Sequence, residues 1–188
     1  MEICIFGGSF NPIHNGHIHL ARQILRHAPI QEVWLIVSPH NPLKENTSLM
    51  DDQLRLQLAR IAVQKEKQIK ISDIEMHLPR PSYTWQTMKA LEKEYPQHRF
   101  SLLIGADNWV NFDKWHAHQE ILKHHNIYIY PRKGYTVDTN TLPDNVRLLD
   151  VETIDISSTQ IRKLHSEHKD ISTLLPKKVA DILKNIKI

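Results

Sequence analysis

Two histidines three residues apart, His14 and His17, stand with Ser9 behind a glycine pair in the stretch GGSFNPIHNGH, residues 7–17. Imidazoles and a hydroxyl at the mouth of a helix are groups that hold and polarise phosphate oxygens, because a helix N-terminus offers free N–H groups and partial positive charge. Gly7 and Gly8 are read as following a strand, where a missing Cβ lets the backbone turn sharply or approach a ligand. Pro12 keeps the helix from starting early, and Asn15 is placed to cap it, with Gly16 next and His17 in the first turn. Turn and capping needs account for Gly7, Gly8, Pro12 and Asn15, and in a chain with 13 histidines a single one carries little weight. They leave the gathering of Ser9, His14 and His17 unexplained. Zinc is the other chemistry open to two close histidines, but a site needs at least a third protein ligand, and no cysteine or carboxylate stands nearby at ligand spacing. Neither GxxxxGK[ST] nor GxGxxG occurs, so a nucleotide held here is held by a different device.

A second group lies near the other end, in DISSTQIRKL, residues 155–164. Ser157 with Gln160 reads as a capping box, and a well-capped helix would need no more. Three consecutive hydroxyls, Ser157, Ser158 and Thr159, exceed that need. Arg162 follows about one turn later, and helical side chains lean toward the N-terminus, so its guanidinium can reach an anion held by Ser158 and Thr159. Two helix starts equipped in this way at opposite ends of one chain point to a polyphosphate clamped between them.

The elements that would position these groups follow from the apolar pattern. Short β-branched runs recur at Ile3–Phe6, Val33–Val37, Ile69–Ile74, Phe100–Ile104, Ile127–Tyr130 and Val146–Val151. Helical stripes lie between them: Ile18, Ala21, Ile24, Leu25 and Ala28 ahead of Pro29; Leu54, Leu58, Ile61 and Ala62; Met88 and Leu91 ahead of Pro96; and Val179, Ile182, Leu183 and Ile186. The first two strands are apolar nearly throughout, as when both faces of a parallel sheet are covered. Alternating strands and helices predict a doubly wound α/β sandwich, whose ligands sit beyond the carboxyl ends of the strands. The 188 residues read as one domain spanning 1–188, with a C-terminal helical part from about 157. The net charge of +3 is dispersed, which suits small anionic ligands and gives no aromatic-and-basic stripe for RNA. The one cysteine, Cys4, lies in the first apolar run, so no disulfide framework exists and the thiol reads as a small buried hydrophobe. No run of 18 apolar residues and no leader pattern occurs, so the expectation is a cytoplasmic protein that neither crosses a membrane nor is secreted.

GGSFNPIHNGH resembles the GG[ST]FxPxHxGH signature of the HxGH nucleotidyltransferases, and ISSTQIR, residues 156–162, matches the ISSTxIR signature of their adenylyltransferase members. Class I aminoacyl-tRNA synthetases share HxGH but are much longer and carry a lysine-rich second motif absent here. Within the superfamily the chain is similar to bacterial nicotinate-nucleotide adenylyltransferases. It has SPHNPLKE with Lys44 after the second strand, Pro81-Ser82-Tyr83-Thr84, Gly105-Ala106-Asp107 with Trp115 eight residues beyond the aspartate, and Arg132 and Gly134 after the fifth strand. The resemblance implies a Rossmann-like nucleotidyltransferase fold that transfers AMP from ATP to nicotinate mononucleotide, giving deamido-NAD and pyrophosphate in NAD biosynthesis, with Mg²⁺ held mainly by substrate phosphates. It implies catalytic roles for His14, His17, Lys44 and Arg162. ATP would be bound by Gly7, Gly8, Ser9, Phe10, His14, Gly16, His17, Ile156, Ser157, Ser158, Thr159 and Arg162, and the nicotinate nucleotide by Lys44, Tyr83, Thr84, Gly105, Asp107, Trp115 and Arg132. Partners would be these small molecules, with neither nucleic acid nor membrane, and a homo-oligomer is compatible with the pattern.

The chain departs from the family at Leu43, directly before Lys44, within Trp85-Gln86-Thr87-Met88, and at His116. These positions bear on the pyridine pocket. The rival readings are a sister enzyme acting on nicotinamide mononucleotide or phosphopantetheine, and an ATP-sensing module without turnover. Because a mononucleotide phosphate is already an anion, the implied reaction needs no general base, in keeping with a sequence that shows no catalytic triad. Two unit charges at 4 Å repel by about 4 kcal/mol at an intermediate dielectric, so cationic groups carry the burden.

Overall fold

A computed structural model describes residues 1–39, 49–186 and 188. Six strands form the sheet: β1 (Glu2–Gly8), β2 (Glu32–Val37), β3 (Ile69–Ser72), β4 (Arg99–Gly105), β5 (Ile127–Tyr130) and β6 (Val146–Leu148). They are hydrogen-bonded in the order β3-β2-β1-β4-β5-β6, and every pairing is parallel. Helices α1 (Asn15–His27), α2 (Asp52–Val63), α3 (Thr84–Glu94), α4 (Ala106–Trp109), α5 (His118–His124), α6 (Ser158–Ser166) and α7 (Lys177–Leu183) flank it. This is the Rossmann-like arrangement expected from the alternation of elements, with its switch point between β1 and β4.

The two faces of the sheet separate as the period of two demands. Cys4 and Phe6 of β1 join Val33, Leu35 and Val37 of β2 in a core packed by Ile18, Ala21 and Ile24 of α1, Leu58 of α2 and Val179 of α7. Ile3 and Ile5 join Trp34, Ile36, Leu102 and Ile104 in the opposite core, covered by Met88 and Leu91 of α3 and Ile121 of α5. Cys4 is fully buried, and burial pushes its thiol up to about 12, so it behaves as the inert hydrophobe expected.

Several boundaries differ from the sequence reading. Gly7 and Gly8 lie inside β1, paired with Ile36 and Val37, rather than in a turn after it. β3 stops at Ser72 and Ile74 enters a 3-10 turn, Ile74–His77. β6 stops at Leu148, although Leu149 and Val151 remain buried in extended chain. Asn15 does not cap α1: the cap is His14, and Asn15 is the first helical residue, its side chain donating to Thr173 O at 3.0 Å. In α2 only Leu58 of the expected stripe is fully buried; the helix turns Arg55, Leu56, Ala59 and Val63 inward instead. That rotation goes with the Arg55 guanidinium, which the carbonyls of Ser9, Ser38 and Met50 hold inward.

Candidate active site

The turn between β1 and α1 is held from several sides. Ser158 Oγ donates to Pro12 O at 2.9 Å, and Arg162 Nη1 donates to Asn11 O at 2.8 Å. These bonds join residues 146 and 151 positions apart, so the start of α6 rests directly on the turn that precedes α1. Asn11, only 2% exposed, accepts the Met50 N–H on its side-chain oxygen. His19 contacts Glu152 O at 3.1 Å, and Asn15 N–H donates to Leu174 O at 3.0 Å, which lays the C-terminal segment along α1.

His14 and His17 form one stacked unit, with ring centroids 3.6 Å apart and planes at 26°. The His14 backbone N–H donates to His17 Nδ1 at 3.2 Å. An imidazole that accepts at Nδ1 carries its proton on Nε2, so a neutral His17 presents an Nε2–H donor. Phe10 braces the ring edge-on, with centroids 4.9 Å apart. At Gly16 a Cβ would come within 3.0 Å of the His14 ring, tighter than ordinary contact, so glycine lets the first imidazole lie across the helix start without a shift. His14 itself is buried, and its Nδ1 has no partner among the described residues. Burial first, and the nearby Arg132 charge second, push its pKa down to about 4, so the ring is neutral at pH 7.

A pH test follows from that shift. The folded pKa lies below the unfolded value of 6.5, so His14 favours the fold above pH 6.5, and this contribution is lost as pH falls toward 4. The loss between pH 7 and pH 5 is expected to be about 2 kcal/mol. Burial lowers the His125 pKa as well, so it acts in the same direction. Denaturant unfolding of the wild type and His14→Gln at both pH values isolates the part due to His14. An equal pH dependence in the two proteins would show that His14 is not held neutral.

Of the remaining residues expected on the ATP side, Thr159 lies beside Arg162, its Oγ1 accepting from Nη2 at 3.3 Å. Burial lowers the Arg162 pKa, a sign of a partly desolvated cation. Ser157 caps α6 by accepting the Gln160 N–H at 3.1 Å, which is one half of the expected capping box. Ser158, expected on the same side, donates its hydroxyl proton to Pro12 O and so also fastens α6 to the turn. Gly7, Gly8, Ser9 and Phe10 run along the end of β1, and Ile156 sits in the extended chain entering α6.

A cavity of about 190 Å³ opens beside this turn, over the carboxyl ends of β1, β2, β4 and β5. Gly7 and Gly8 form one wall, Tyr83, Thr84 and Thr87 at the start of α3 another, and Gly105, Trp115 and His116 a third. Trp115 packs on Phe112, with centroids 5.5 Å apart, and its buried indole N–H has no partner among the described residues. The N-terminus of α3 points positive charge at the cavity. The Tyr83 N–H donates to Gln86 Oε1 at 3.2 Å. Gln86, one of the departures from the family, therefore serves as the local cap. His116, another departure, packs its ring against Tyr83 at 4.8 Å. A Cβ on Gly105 would overlap the Asp107 carboxylate and press on the Arg132 and Tyr130 side chains at 3.1 Å, so a larger residue here would displace Asp107. Asp107 Oδ1 lies 3.5 Å from Arg132 Nε, and neither side chain lines the cavity. Leu43 and Lys44 lie outside the described residues.

Two buried polar residues at this site have no motif to announce them. Glu75 accepts from Thr87 Oγ1 at 2.7 Å and from Ser82 Oγ at 3.1 Å, which fixes the turn that enters α3. Arg55 is fully buried beneath the β1 turn. The only sequence signal for Arg55 is a basic residue set among Leu54, Leu56 and Leu58.

Residues 5–164 match the family model described as cytidylyltransferase-like. A protein of Bacteroides thetaiotaomicron named a probable nicotinate-nucleotide adenylyltransferase is 46% identical over 180 residues, which cover 96% of this chain and 89% of the relative. The chain belongs to the nicotinate-nucleotide adenylyltransferase family. A second relative of the same name, from Flavobacterium johnsoniae, is 42% identical over 182 residues, covering 95% of this chain and 94% of its own. The fold is also that of Plasmodium falciparum nicotinic acid mononucleotide adenylyltransferase complexed with NaAD, with a TM-score of 0.80 at 22% identity, covering 96% of this chain and 93% of the other. In this chain the β1–α1 turn and the start of α6 meet at the switch point of the parallel sheet. No helix among the described residues is long and apolar enough to cross a membrane.

Proposed function

We propose that the chain transfers the adenylyl group of ATP to nicotinate mononucleotide, forming deamido-NAD and releasing pyrophosphate. The observation that carries this reading is the seating of the α6 start on the β1–α1 turn through Ser158 and Arg162, next to a cavity headed by the N-terminus of α3. A phosphate oxygen of the mononucleotide attacks the α-phosphorus, the bond from that phosphorus to the bridging oxygen breaks, and the electron pair leaves with pyrophosphate. His14, held neutral by its burial, and His17 serve the α-phosphate and bridging oxygen, and Ser9, Thr159 and Arg162 hold the β- and γ-phosphates. Such catalysis is positioning and charge neutralisation, without a general base.

Trp115 offers its face to the cationic pyridine ring. The free N–H groups of the first turn of α3, from Thr84 on, suit the nicotinate carboxylate. Asp107 and Arg132 serve the ribose and phosphate of the same nucleotide, and Lys44 the reacting phosphates. Among the described residues no three His, Cys, Asp or Glu side chains could share a metal ion. Mg²⁺ then suits this site as an ion bound chiefly by phosphate oxygens and water, supplying charge neutralisation when bound. ATP as co-substrate fits a cytoplasmic setting.

The deciding assay pairs ATP with nicotinate mononucleotide, nicotinamide mononucleotide or phosphopantetheine and follows pyrophosphate and dinucleotide. Rapid product formation with the nicotinate nucleotide is expected, and Trp115→Ala should raise its KM by about tenfold while leaving the KM for ATP unchanged. Turnover with another acceptor alone would move the chain to a sister reaction. ATP binding without pyrophosphate release at saturating acceptor would make it a sensor.

A further inference from the structure

Arg55 makes four polar contacts from a position with no solvent exposure. Its Nη1 donates to Ser9 O and, at 2.9 Å, to Ser38 O; its Nε donates to Met50 O at 3.1 Å; its Nη2 pairs with Asp52 Oδ1. The loops after β1 and β2 and the entry to α2 are thus fastened to one planar group. Asp52 uses its other oxygen, Oδ2, to accept from Arg80 Nη2 at 2.9 Å. Arg80 immediately precedes Pro81-Ser82-Tyr83-Thr84, the turn that walls the cavity.

In a trans peptide the carbonyl and the following N–H point in opposite directions. Anchoring Ser9 O on Arg55 therefore sets the direction of the Phe10 N–H. Phe10 holds a left-handed backbone, φ 43°, which a residue with a side chain adopts only when its surroundings impose it. Arg55 is one of the groups imposing it, and a lysine could not, because a single ammonium lacks the fork that reaches four acceptors at once.

We propose that Arg55 is a positioning residue that aims the Ser9–Phe10 peptide and, through Asp52 and Arg80, holds the ATP-side turn and the acceptor-side turn in one fixed register. The naming of the two sides rests on the adenylyl-transfer reading above. The bridge runs from a wholly buried cation through a half-buried carboxylate to an exposed arginine, so its outer link can be cut without opening the core.

The test uses the full chain, with steady-state kinetics, thermal melting and hydrogen–deuterium exchange on wild type, Arg55→Lys, Arg80→Ala, Asp52→Asn and Arg80→Ala/Asp52→Asn. Arg55→Lys is expected to lower turnover by about tenfold or more and to raise exchange locally at residues 8–12, with β4 unchanged. Arg80→Ala is expected to raise the acceptor KM by about threefold to tenfold at constant melting temperature, and to add nothing once Asp52 is asparagine. A merely structural Arg55 would give an even rise in exchange, a smaller active fraction and unaltered KM values, and that result overturns the proposal. So would wild-type exchange at residues 8–12 in Arg55→Lys, or unchanged KM values in Arg80→Ala. Should Arg55→Lys fail to fold, the Arg80 and Asp52 variants decide alone. Should the wild type turn over no acceptor, the reading of function fails, and exchange decides for the bridge: a rise confined to residues 8–12 upholds it, and any other pattern overturns it.

Discussion

Replacing His17 with alanine is expected to cut turnover by about a hundredfold or more while leaving the protein folded. The side chain does two separable things. Its Nδ1 accepts the His14 backbone N–H at the helix start, and on the proposed mechanism its ring serves oxygen on which charge develops. Loss of the first is a lost cap, worth about 1 kcal/mol, or a fall of about 2–4 °C in melting temperature for a chain of this size. Loss of the second removes a preorganised donor from the transition state, which is a far larger effect on rate. The stacking of His14 on His17 adds coupling between the two rings, so the double variant should cost less than the product of the single losses. Turnover and melting temperature measured together check this. Unchanged turnover would take His17 out of the mechanism, and a collapse of the melting temperature would make its role structural.

Arg162→Ala is expected to lower kcat/KM for ATP by about a hundredfold to a thousandfold and to leave the KM for the mononucleotide nearly constant. Arg162 is partly desolvated, so its charge acts through less water than a surface arginine's, and the pKa shift records that environment. It also donates to Asn11 O, so its removal loosens the docking of α6 on the β1–α1 turn. Arg162→Lys separates these contributions: it restores charge without the fork that serves Asn11 O and Thr159 Oγ1 together, and should recover no more than about tenfold. Steady-state kinetics with ATP varied, and calorimetric binding of a non-hydrolysable ATP analogue, provide the check. A loss confined to the acceptor KM would place Arg162 on the wrong substrate.

The sheet and its faces were legible in the sequence because apolar periodicity is a local record of burial. Six runs of β-branched residues became six strands, and the stripe ending before Pro29 became α1 ending at His27. Misjudged details were those settled by neighbours distant in sequence. Asn15 looks like a cap to a reader of local propensity, yet its side chain is engaged by Thr173 and the cap falls to His14. α2 looks like a helix resting on Leu54 and Ile61, yet carbonyls of two other loops turn Arg55 inward.

The residue types that could handle phosphate, and their two locations in the chain, were therefore set by the sequence alone, since a helix start and its nearby side chains are specified within about a dozen positions. Which of those groups face one another was decided only by the tertiary structure. The parallel sheet brings the ends of β1, β2, β4 and β5 to one edge, and hydrogen bonds spanning nearly the whole chain seat α6 there. The buried polar pieces of the site, Arg55 and Glu75, belong to the same class. A buried charge is tolerable only where carbonyls, hydroxyls or a counter-charge converge on it, and that convergence is a property of folded space which no local pattern can write.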